Sequence, residues 1–321
     1  MSVHEIKPAA ADVLPPDALD RVRHWAGARP RELALRHKRR GQWKAWQWMD
    51  IAREIEHLAA ALRQQGFGVG SRLALSGAFE PTLILLALAA KAAGGHPLPV
   101  SRELSGEALR SALAELRPSH IYVQGREGVL RHLAALGGVE DEILLLSSAS
   151  VERRSGRVHV LPLTSLYAGG RAHPLRLAAR RAHAAAPVWS EEGTEWSEGL
   201  GVVLRHWLDG GQCFAFPESI ESASRDRLEI APSGLLLSPA RRRALEEECE
   251  SRLAPLGSLR RRAWEWSLEG DSRGLRGQLQ ARVRRLFGLQ RLQGVVSPLP
   301  LRGQPAADGS LPAAGRLEAA A

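Results

Sequence analysis

The stretch of this sequence whose residue types most suggest a binding site is YAGGRAHP, residues 167–174. Adjacent glycines such as Gly169 and Gly170 let backbone N–H groups approach a phosphate closely, because no Cβ stands in the way. Arg171 and His173 offer positive charge and hydrogen bonds beside those amides. The residue types at this spacing raise the hypothesis of a phosphate-binding loop, and an ordinary turn is the alternative.

Strands and helices alternate on both sides of this stretch. SRLALSGA (71–78) predicts a buried strand, and the apolar run from Pro81 to Ala93 predicts a buried helix that Gly94 ends. Such alternation predicts an α/β fold of mostly parallel sheets flanked by helices. Further strands are predicted at 96–100, 119–125, 142–148, 157–163 and 212–219, and further helices at 103–116, 127–136, 200–211, 222–232, 237–253 and 258–287.

Residues 31–66 predict a hairpin followed by a helix. The apolar alternation of residues 33–37 predicts a strand, and residues 39–42 predict a turn. Asp50 is the predicted N-cap of the following helix. A tryptophan stripe predicts the second strand and is expected to pack in the core, and it consists of Trp43, Trp46 and Trp48.

The charge of the chain is strongly basic, with a formal net charge of +9. Its arginines are interleaved with Asp and Glu, and the basic runs 36–40, 241–243 and 260–262 carry neither zinc-finger spacing nor an aromatic RNA-binding pattern. We therefore predict a solvated charged surface and no nucleic-acid partner. The acidic run 246–250 is likewise predicted to be a solvated helix face.

Compartment and membrane topology can also be predicted. Cys213 and Cys249 lack metal-ligand spacing and are expected to pack as small apolar residues in a reducing cytoplasm. The first 16 residues contain no apolar signal core. The longest apolar run, 82–95, is shorter than the roughly 20 residues that cross a bilayer, so no transmembrane segment is predicted.

Two longer segments carry a family resemblance. The first is RELALRHKRRGQWKAWQWMDIAREIEHLAAALRQQGFGVGSRLALSGAFEPTLILLALAAKAAGGHPLPV (31–100). The second, residues 196–301, includes EGLGVVLRHWLDGGQCFAFPE and VRRLFGLQRLQGVVSPLPL. In this order they resemble the front half of the adenylate-forming (AMP-binding) enzymes, and among them the long-chain fatty acyl-CoA synthetases. The resemblance implies the fold of the N-terminal part of the acyl-CoA synthetase large domain.

The resemblance also implies a domain order. A loose segment at 1–18 is followed by a first α/β subdomain at 19–165, and a phosphate-loop region with its linker spans 166–199. A second, helix-rich part then covers 200–300, and a low-complexity tail covers 301–321. Because the family's later signatures are missing after this point, we expect either a rearranged, smaller fold or another chain that covers the truncated sheet.

In that family the loop between the two blocks reads [ST]-S-G-[ST]-T-G-x-P-K-G. YAGGRAHP takes its place as a degenerate ATP loop, because both hydroxyl residues are lost and Leu175 replaces the lysine. No lysine follows Lys91. The rival stretch 191–201 surrounds Gly193 and Thr194 with carboxylates that would repel a phosphate. The implied cofactor-binding positions are Ala168, Gly169, Gly170, Arg171, His173 and Pro174.

From the resemblance we expect an acyl-CoA synthetase-like protein that cannot form acyl-adenylate alone and acts through an acyl ligand or a partner protein. Two alternatives stay open: a fatty acyl-CoA ligase subunit completed by another chain, and a structural protein that keeps only the fold. No catalytic residue and no metal ligand is assigned. ATP and Mg²⁺ are expected as cofactors only if the degenerate loop still binds them.

Overall fold

The computed structural model describes residues 13–167, 175–176, 186–253, 255, 257–268 and 274–296. Its elements follow the chain in this order: α1 (Ala18–Ala28), β1 (Leu33–Arg39), β2 (Gln42–Gln47), α2 (Trp48–Gln64), β3 (Arg72–Ser76), α3 (Pro81–Ala92), β4 (His96–Pro99), α4 (Gly106–Leu116), β5 (His120–Val123), α5 (Gly125–Ala135), β6 (Ile143–Ser147), β7 (Arg153–Ser155), β8 (Val158–Pro162), a 3₁₀ turn (Leu163–Tyr167), β9 (Leu175–Arg176), β10 (Val188–Trp189), α6 (Gly199–Gly210), β11 (Phe214–Phe216), α7 (Ala223–Ile230), β12 (Gly234–Leu236), α8 (Pro239–Arg252), α9 (Leu259–Leu268), α10 (Gly274–Leu286) and β13 (Gly294–Val296).

These elements form two compact units that interleave along the chain. Unit 1 contains residues 1–34, 46–174 and 193–211. Unit 2 contains residues 35–45, 175–192 and 212–321. Neither unit is therefore a continuous stretch of sequence, and the predicted order of consecutive domains stays a prediction.

Unit 1 is built on a six-stranded sheet in the order β4-β3-β5-β6-β8-β7. All neighbours are parallel except β7, which pairs antiparallel with β8. Helix α3 begins at Pro81, which suits the first helical position because its missing N–H has no partner there. Its residues from Leu83 to Ala90 are all buried, so the helix is covered on every side, as its uniformly apolar sequence predicts.

A stack of tryptophans packs unit 1 beside that sheet. Trp48 and Trp207 are both fully buried, and their rings stack 4.9 Å apart at an angle of 12°. Trp25 packs on Trp48 with ring centroids 6.1 Å apart. Trp207 Nε1 donates to the Ala34 carbonyl at 3.1 Å, whereas the buried Trp48 Nε1 has no hydrogen-bond partner among the described residues. The predicted packing role of the stripe at Trp48 is thereby confirmed.

Unit 2 is built on a seven-stranded sheet in the order β13-β12-β10-β11-β1-β2-β9. From β13 to β1 every pair is parallel, and β2 pairs antiparallel with β9. The turn between β1 and β2 has positive φ at both Arg40 and Gly41, as tight hairpins require. Glu218 accepts hydrogen bonds from both backbone N–H groups of that turn.

The α/β fold class with mostly parallel sheets is confirmed, and three local predictions are wrong. Asp50 is not the N-cap of α2, because the helix begins at Trp48 and Asp50 accepts a hydrogen bond from the Gln47 N–H at 3.1 Å. Residues 187–199, where no strand is predicted from the sequence, contain β10. In the acidic run 246–250, Glu248 is half-buried and ion-paired.

The two stacked tryptophans allow a matched test of unit 1. We expect Trp207→Phe to lower the free energy of unfolding by about 1–3 kcal/mol more than Trp48→Phe, because only Trp207 leaves a buried carbonyl without its donor. Urea denaturation followed by circular dichroism measures the difference. Equal losses in the two variants would contradict the hydrogen bond to Ala34.

Candidate functional site

The predicted loop residues Ala168, Gly169, Gly170, Arg171, His173 and Pro174 lie outside the described residues, so their role stays a prediction. The residues on both sides of the loop are described. Tyr167, directly before it, donates its hydroxyl hydrogen to Glu54 Oε1 at 2.7 Å and stacks on the His57 ring at 5.4 Å. Leu175 and Arg176, directly after it, pair antiparallel with Ala45 and Lys44 of β2.

Unit 1 has a crevice of the kind that binds ligands in parallel α/β sheets. Strands β3 and β5 are neighbours in this sheet. From β3 the chain continues to β4 on one side of the pair, and from β5 it continues to β6 on the other side. Ligands in such sheets bind at this switch point, outside the carboxyl ends of the two strands. The residues at these ends are Gly77 and Ala78 after β3 and Gln124 after β5.

The amide of Gln124 fills this crevice. Its Oε1 accepts a hydrogen bond from the Ala78 N–H at 2.7 Å, and its Nε2 donates to the Ala78 carbonyl at 2.9 Å. A Cβ on Gly77 would lie 2.4 Å from Gln124 Cδ, so the glycine is what allows the close approach. The crevice therefore holds a side chain of the protein where a ligand would otherwise bind.

The segment after β10 closes the same crevice from another direction. Thr194 Oγ1 accepts a hydrogen bond from the Gly77 N–H at 3.1 Å, and the Thr194 N–H donates to the Gly77 carbonyl at 2.9 Å. Arg102 forms an ion pair with Glu195 at 2.7 Å. The rival stretch 191–201 therefore has a structural role, because the hydroxyl oxygen of its Thr194 is already hydrogen-bonded.

Unit 2 has its own switch point, between β10 and β12. The chain leaves β10 for β11 on one side and leaves β12 for β13 on the other. Ser190 and Glu192 follow β10, and Ser238 follows β12 as the N-cap of α8. Helix N-termini attract anions, because their N–H groups and the helix dipole both favour negative charge. A phosphate-binding protein would place its ligand's charge here.

The carboxylate of Glu192 occupies that position. Glu192 is 1% exposed, and its Oε1 accepts a hydrogen bond from the Ser238 N–H at 2.5 Å. Ser238 Oγ in turn accepts from the Arg241 N–H at 3.2 Å. The first backbone N–H at the N-terminus of α8 is therefore bonded to a carboxyl group of the protein itself.

Lys38 is one of the buried cations of unit 2. Its ammonium donates to Asp226 at 2.9 Å and to Glu229 at 2.6 Å, and its side chain is 3% exposed. Burial disfavours the charged form of Lys38, but these bonds outweigh burial and raise its pKa. Burial likewise favours protonated Asp226, yet bonds from Lys38, the Glu218 N–H and Ser222 leave its pKa lowered. Both groups are therefore charged, and they form an ion pair with each other.

Arg227 is a second buried cation, and its guanidinium makes three contacts. It donates to Glu191 at 3.3 Å, to Glu248 at 2.8 Å and to the Phe287 carbonyl at 3.2 Å. Burial by itself raises the pKa of Glu248, but the bonds from Ser224 and Arg227 outweigh it and hold that pKa low. The charge of Arg227 is thus balanced within the unit.

The described residues do not fit a nucleotide triphosphate with its metal. At the unit 2 switch point Glu192 occupies the N-terminus of α8, and Glu191 is paired with Arg227. Lys38 is held by Asp226 and Glu229. Within the described ranges, no three His, Cys, Asp or Glu side chains are grouped so as to hold a metal ion. Among the same residues, no helix has the length and apolarity to cross a membrane.

The cysteines and buried histidines of the described chain have structural roles. Burial raises the pKa of Cys213 and of Cys249 to about 11, so their thiols are protonated and unreactive at neutral pH. Burial also lowers the pKa of His132, whose Nδ1 lies 2.9 Å from the Gly128 carbonyl. The predicted packing role of the cysteines is confirmed.

Sequence reasoning missed the residues that close the two crevices. Gln124 follows the buried strand HIYV directly, and Glu192 comes soon after Val188–Trp189. A polar residue placed directly after a buried parallel strand is the signal that can find such positions. For Glu192 that signal was hidden, because a two-residue strand shows no periodicity.

Comparison with known proteins agrees with this architecture. Residues 22–169 match the AMP-binding enzyme family. The match covers 148 of the 321 residues, slightly less than half of the chain. No curated protein matches the chain.

Three solved structures show the same fold. The adenylation domain of a carboxylate reductase from Mycobacterium chelonae is 13% identical with a TM-score of 0.60, over 88% of this chain and 54% of that one. A putative long-chain-fatty-acid CoA ligase from Rhodopseudomonas palustris is 19% identical with a TM-score of 0.52, over 71% and 65%. Acetoacetyl-CoA synthetase from Streptomyces lividans is 16% identical with a TM-score of 0.51, over 72% and 44%. This chain therefore spans between 44% and 65% of these structures.

The packing of Gly77 against Gln124 can be tested by a double-mutant cycle. We expect Gly77→Ala to cost about 1–3 kcal/mol of unfolding free energy, because its Cβ displaces the Gln124 amide. In a Gln124→Ala background the same change should cost much less. Gly68→Ala is the control, since nothing lies within 4 Å of its Cβ. Additive losses in chemical denaturation would show that the two side chains do not compete.

The Lys38–Asp226 pair gives a second test. We expect Lys38→Met to lower the free energy of unfolding by about 3–5 kcal/mol, because it leaves the buried Asp226 carboxylate without its cation. Lys38→Met combined with Asp226→Asn should recover part of that loss, since the buried carboxylate is then removed and only the half-exposed Glu229 loses its cation. Urea denaturation measures both variants. A double variant less stable than the single one would contradict the charge argument.

Proposed function

We propose that this chain is an acyl-CoA synthetase-like protein that does not form acyl-adenylate by itself and acts by binding an acyl chain or a partner protein. In the enzymes it resembles, hydroxyl residues and a lysine of the loop bind the ATP phosphates. Gly170, Arg171 and Leu175 stand at those positions here. We further propose a cytoplasmic location, in keeping with two free cysteines.

The observation that carries the proposal is the Glu192 carboxylate on the Ser238 N–H, 2.5 Å away and buried. A carboxyl group of the protein takes the place that a helix N-terminus offers to a ligand's phosphate. Binding a phosphate there would require this buried carboxyl group to give up its bond to the Ser238 N–H and to leave the site. The contact therefore supports a protein in which nucleotide chemistry has been given up at this position.

A second candidate is a ligase subunit completed by another chain. The observation that favours it is β13, which stands at the end of the unit 2 sheet. Within the described residues its outer edge carries no further strand, and unpaired strand edges readily accept a strand from another chain.

The proposal predicts a specific pattern of activity and binding. The purified chain, given ATP, Mg²⁺, a long-chain fatty acid and CoA, should release no pyrophosphate, because the loop lacks its phosphate-binding side chains. Isothermal titration with ATP–Mg²⁺ should give no heat. A long-chain acyl-AMP analogue in a second titration should give heat if the acyl chain is the ligand, and none if a partner protein is the target.

The outcomes separate the candidates. Acyl-CoA formed by the chain alone would overturn the proposal. Acyl-CoA formed only after a second purified chain is added would establish the ligase subunit instead. As a control, a variant with Gly170→Thr, Arg171→Thr, Ala172→Gly and Leu175→Lys restores the family's loop residues and should give ATP heat if the loop is the main defect.

A further inference from the structure

Helices α9 and α10 carry an unusual share of exposed apolar side chains. The described part of the chain exposes eight large apolar residues, and four of them lie on these two helices. They are Leu259 at 82% exposure, Trp266 at 44%, Leu275 at 72% and Leu286 at 57%. Exposed apolar residues scattered singly need no explanation, but a concentration on two packed helices marks an interaction surface.

The spacing of these residues places them on one side of each helix. Leu259, Arg262 and Trp266 recur at intervals of three and four along α9, so they share a face. On α10, Leu275, Arg282 and Leu286 are seven and four residues apart, so they share a face as well. The opposite side of α10 is directed to the core of unit 2, where Gln280 is buried and Val283 packs against the apolar cluster. Each helix is therefore amphipathic, with an outward face that is apolar and basic.

The two outward faces are continuous. Trp266 of α9 and Leu275 and Leu279 of α10 line one shallow groove, together with Arg282 and Arg285. Arg276 of α10 lies over the Trp266 ring, with its guanidinium carbon 4.3 Å from the ring centroid. We call this surface, formed by Leu259, Arg262, Trp266, Leu275, Leu279, Arg282, Arg285 and Leu286, the basic apolar face.

The charged residues of α9 and α10 are predominantly positive. Together α9 and α10 contain seven arginines and one glutamate, Glu265. Arg261 is buried and is held by Glu250 and Glu265, at 2.7 and 2.9 Å, so it belongs to the interior. Arg262, Arg282 and Arg285 are exposed and border the apolar residues. A partner that fits this surface must accept apolar side chains and present negative charge beside them.

We propose that the basic apolar face binds the surface of an anionic lipid bilayer. Leucine and tryptophan side chains that stand out from the surface insert between lipid headgroups, while arginines beside them meet the phosphates. A protein partner would instead be expected to bind an apolar groove deeper than this one, whose leucines are up to 82% exposed. The high exposure therefore favours a bilayer over an acidic helix of another protein.

The test uses the full chain and vesicles of defined composition. The chain should co-sediment with phosphatidylcholine vesicles that contain phosphatidylglycerol, and only weakly with pure phosphatidylcholine. Raising the salt to about 1 M, where the screening length falls to about 3 Å, should release most of the bound protein. Equal binding to both vesicle types, or no binding to either, would overturn the proposal.

Variants locate the binding to this face. Arg282→Glu with Arg285→Glu should weaken partitioning by about tenfold or more, since each basic residue near an anionic surface contributes about 1 kcal/mol. Leu275→Ser with Leu286→Ser should weaken binding at high salt as well as at low salt, because it removes the inserted groups. All four substituted positions lie on α10. Circular dichroism of each variant checks that the protein is still folded.

The chain offers a matched control on α5, where exposed Arg126 and Leu130 stand four residues apart, with Leu130 at 52% exposure. Arg126→Glu with Leu130→Ser reverses one charge and removes one exposed leucine in unit 1 and should leave vesicle binding unchanged. Its matched α10 variant is Arg282→Glu with Leu286→Ser, also four residues apart, which should weaken binding. If this control loses as much binding as the α10 variants, the attraction is a property of the whole basic chain and the proposal fails. If the chain ignores vesicles but binds a synthetic acidic amphipathic peptide, the face is a protein-binding site instead.

Discussion

The guanidinium of Arg227 joins more elements of unit 2 than any other contact described above, since its three bonds connect α7 with the end of β10, with α8 and with the chain after α10. A planar group with several fixed donors can satisfy such a set of partners, which the single ammonium of a lysine could not. The backbone there is shaped to fit. Gly288 has φ +73°, and a Cβ on it would lie 2.6 Å from the Arg227 carbonyl. The helices of unit 2 are thus assembled around one desolvated charge.

The need to give every buried polar group a hydrogen-bond partner also shapes both sheets. A parallel sheet with helices on its faces buries its strands and collects polar groups at their carboxyl ends. An enzyme leaves some of these groups for its substrate. Here Gln124 bonds both backbone groups of Ala78, and Glu192 bonds the Ser238 N–H. Such closure removes the cost of unsatisfied buried groups, and the donors and acceptors that it uses are not available to a ligand.

The fold class could be predicted from sequence because it follows from long, regular patterns. The apolar run of α3 and the alternation of strands with helices up to β8 are strong signals. Short central strands were missed: β10 has two residues and lies in an acidic stretch, yet it is flanked by strands on both sides. Its burial is fixed by neighbours distant in sequence. Strand β1 shows why alternation can mislead, because Arg36 and Lys38, on its apparent polar face, are buried as well.

The candidate site was less predictable for the same physical reason. A loop sequence such as YAGGRAHP reports which chemical groups are present, but the closure of a crevice depends on contacts between distant residues. Gly77 and Thr194 are 117 residues apart, and Lys38 and Asp226 are 188 apart. No local pattern encodes pairs at that separation.

The interleaving of the two units has a consequence for synthesis on the ribosome. Unit 1 needs residues up to 211, and unit 2 takes its strands β1 and β2 from residues 35–45 but its remaining parallel strands from residue 188 onward. The hairpin therefore emerges early and must wait for more than half of the chain before its sheet neighbour β11 exists. During that interval an apolar hairpin edge is open to other nascent chains. Chaperone demand and aggregation during expression should thus depend on this short segment. A cut at any single position between residues 35 and 211 would divide both units.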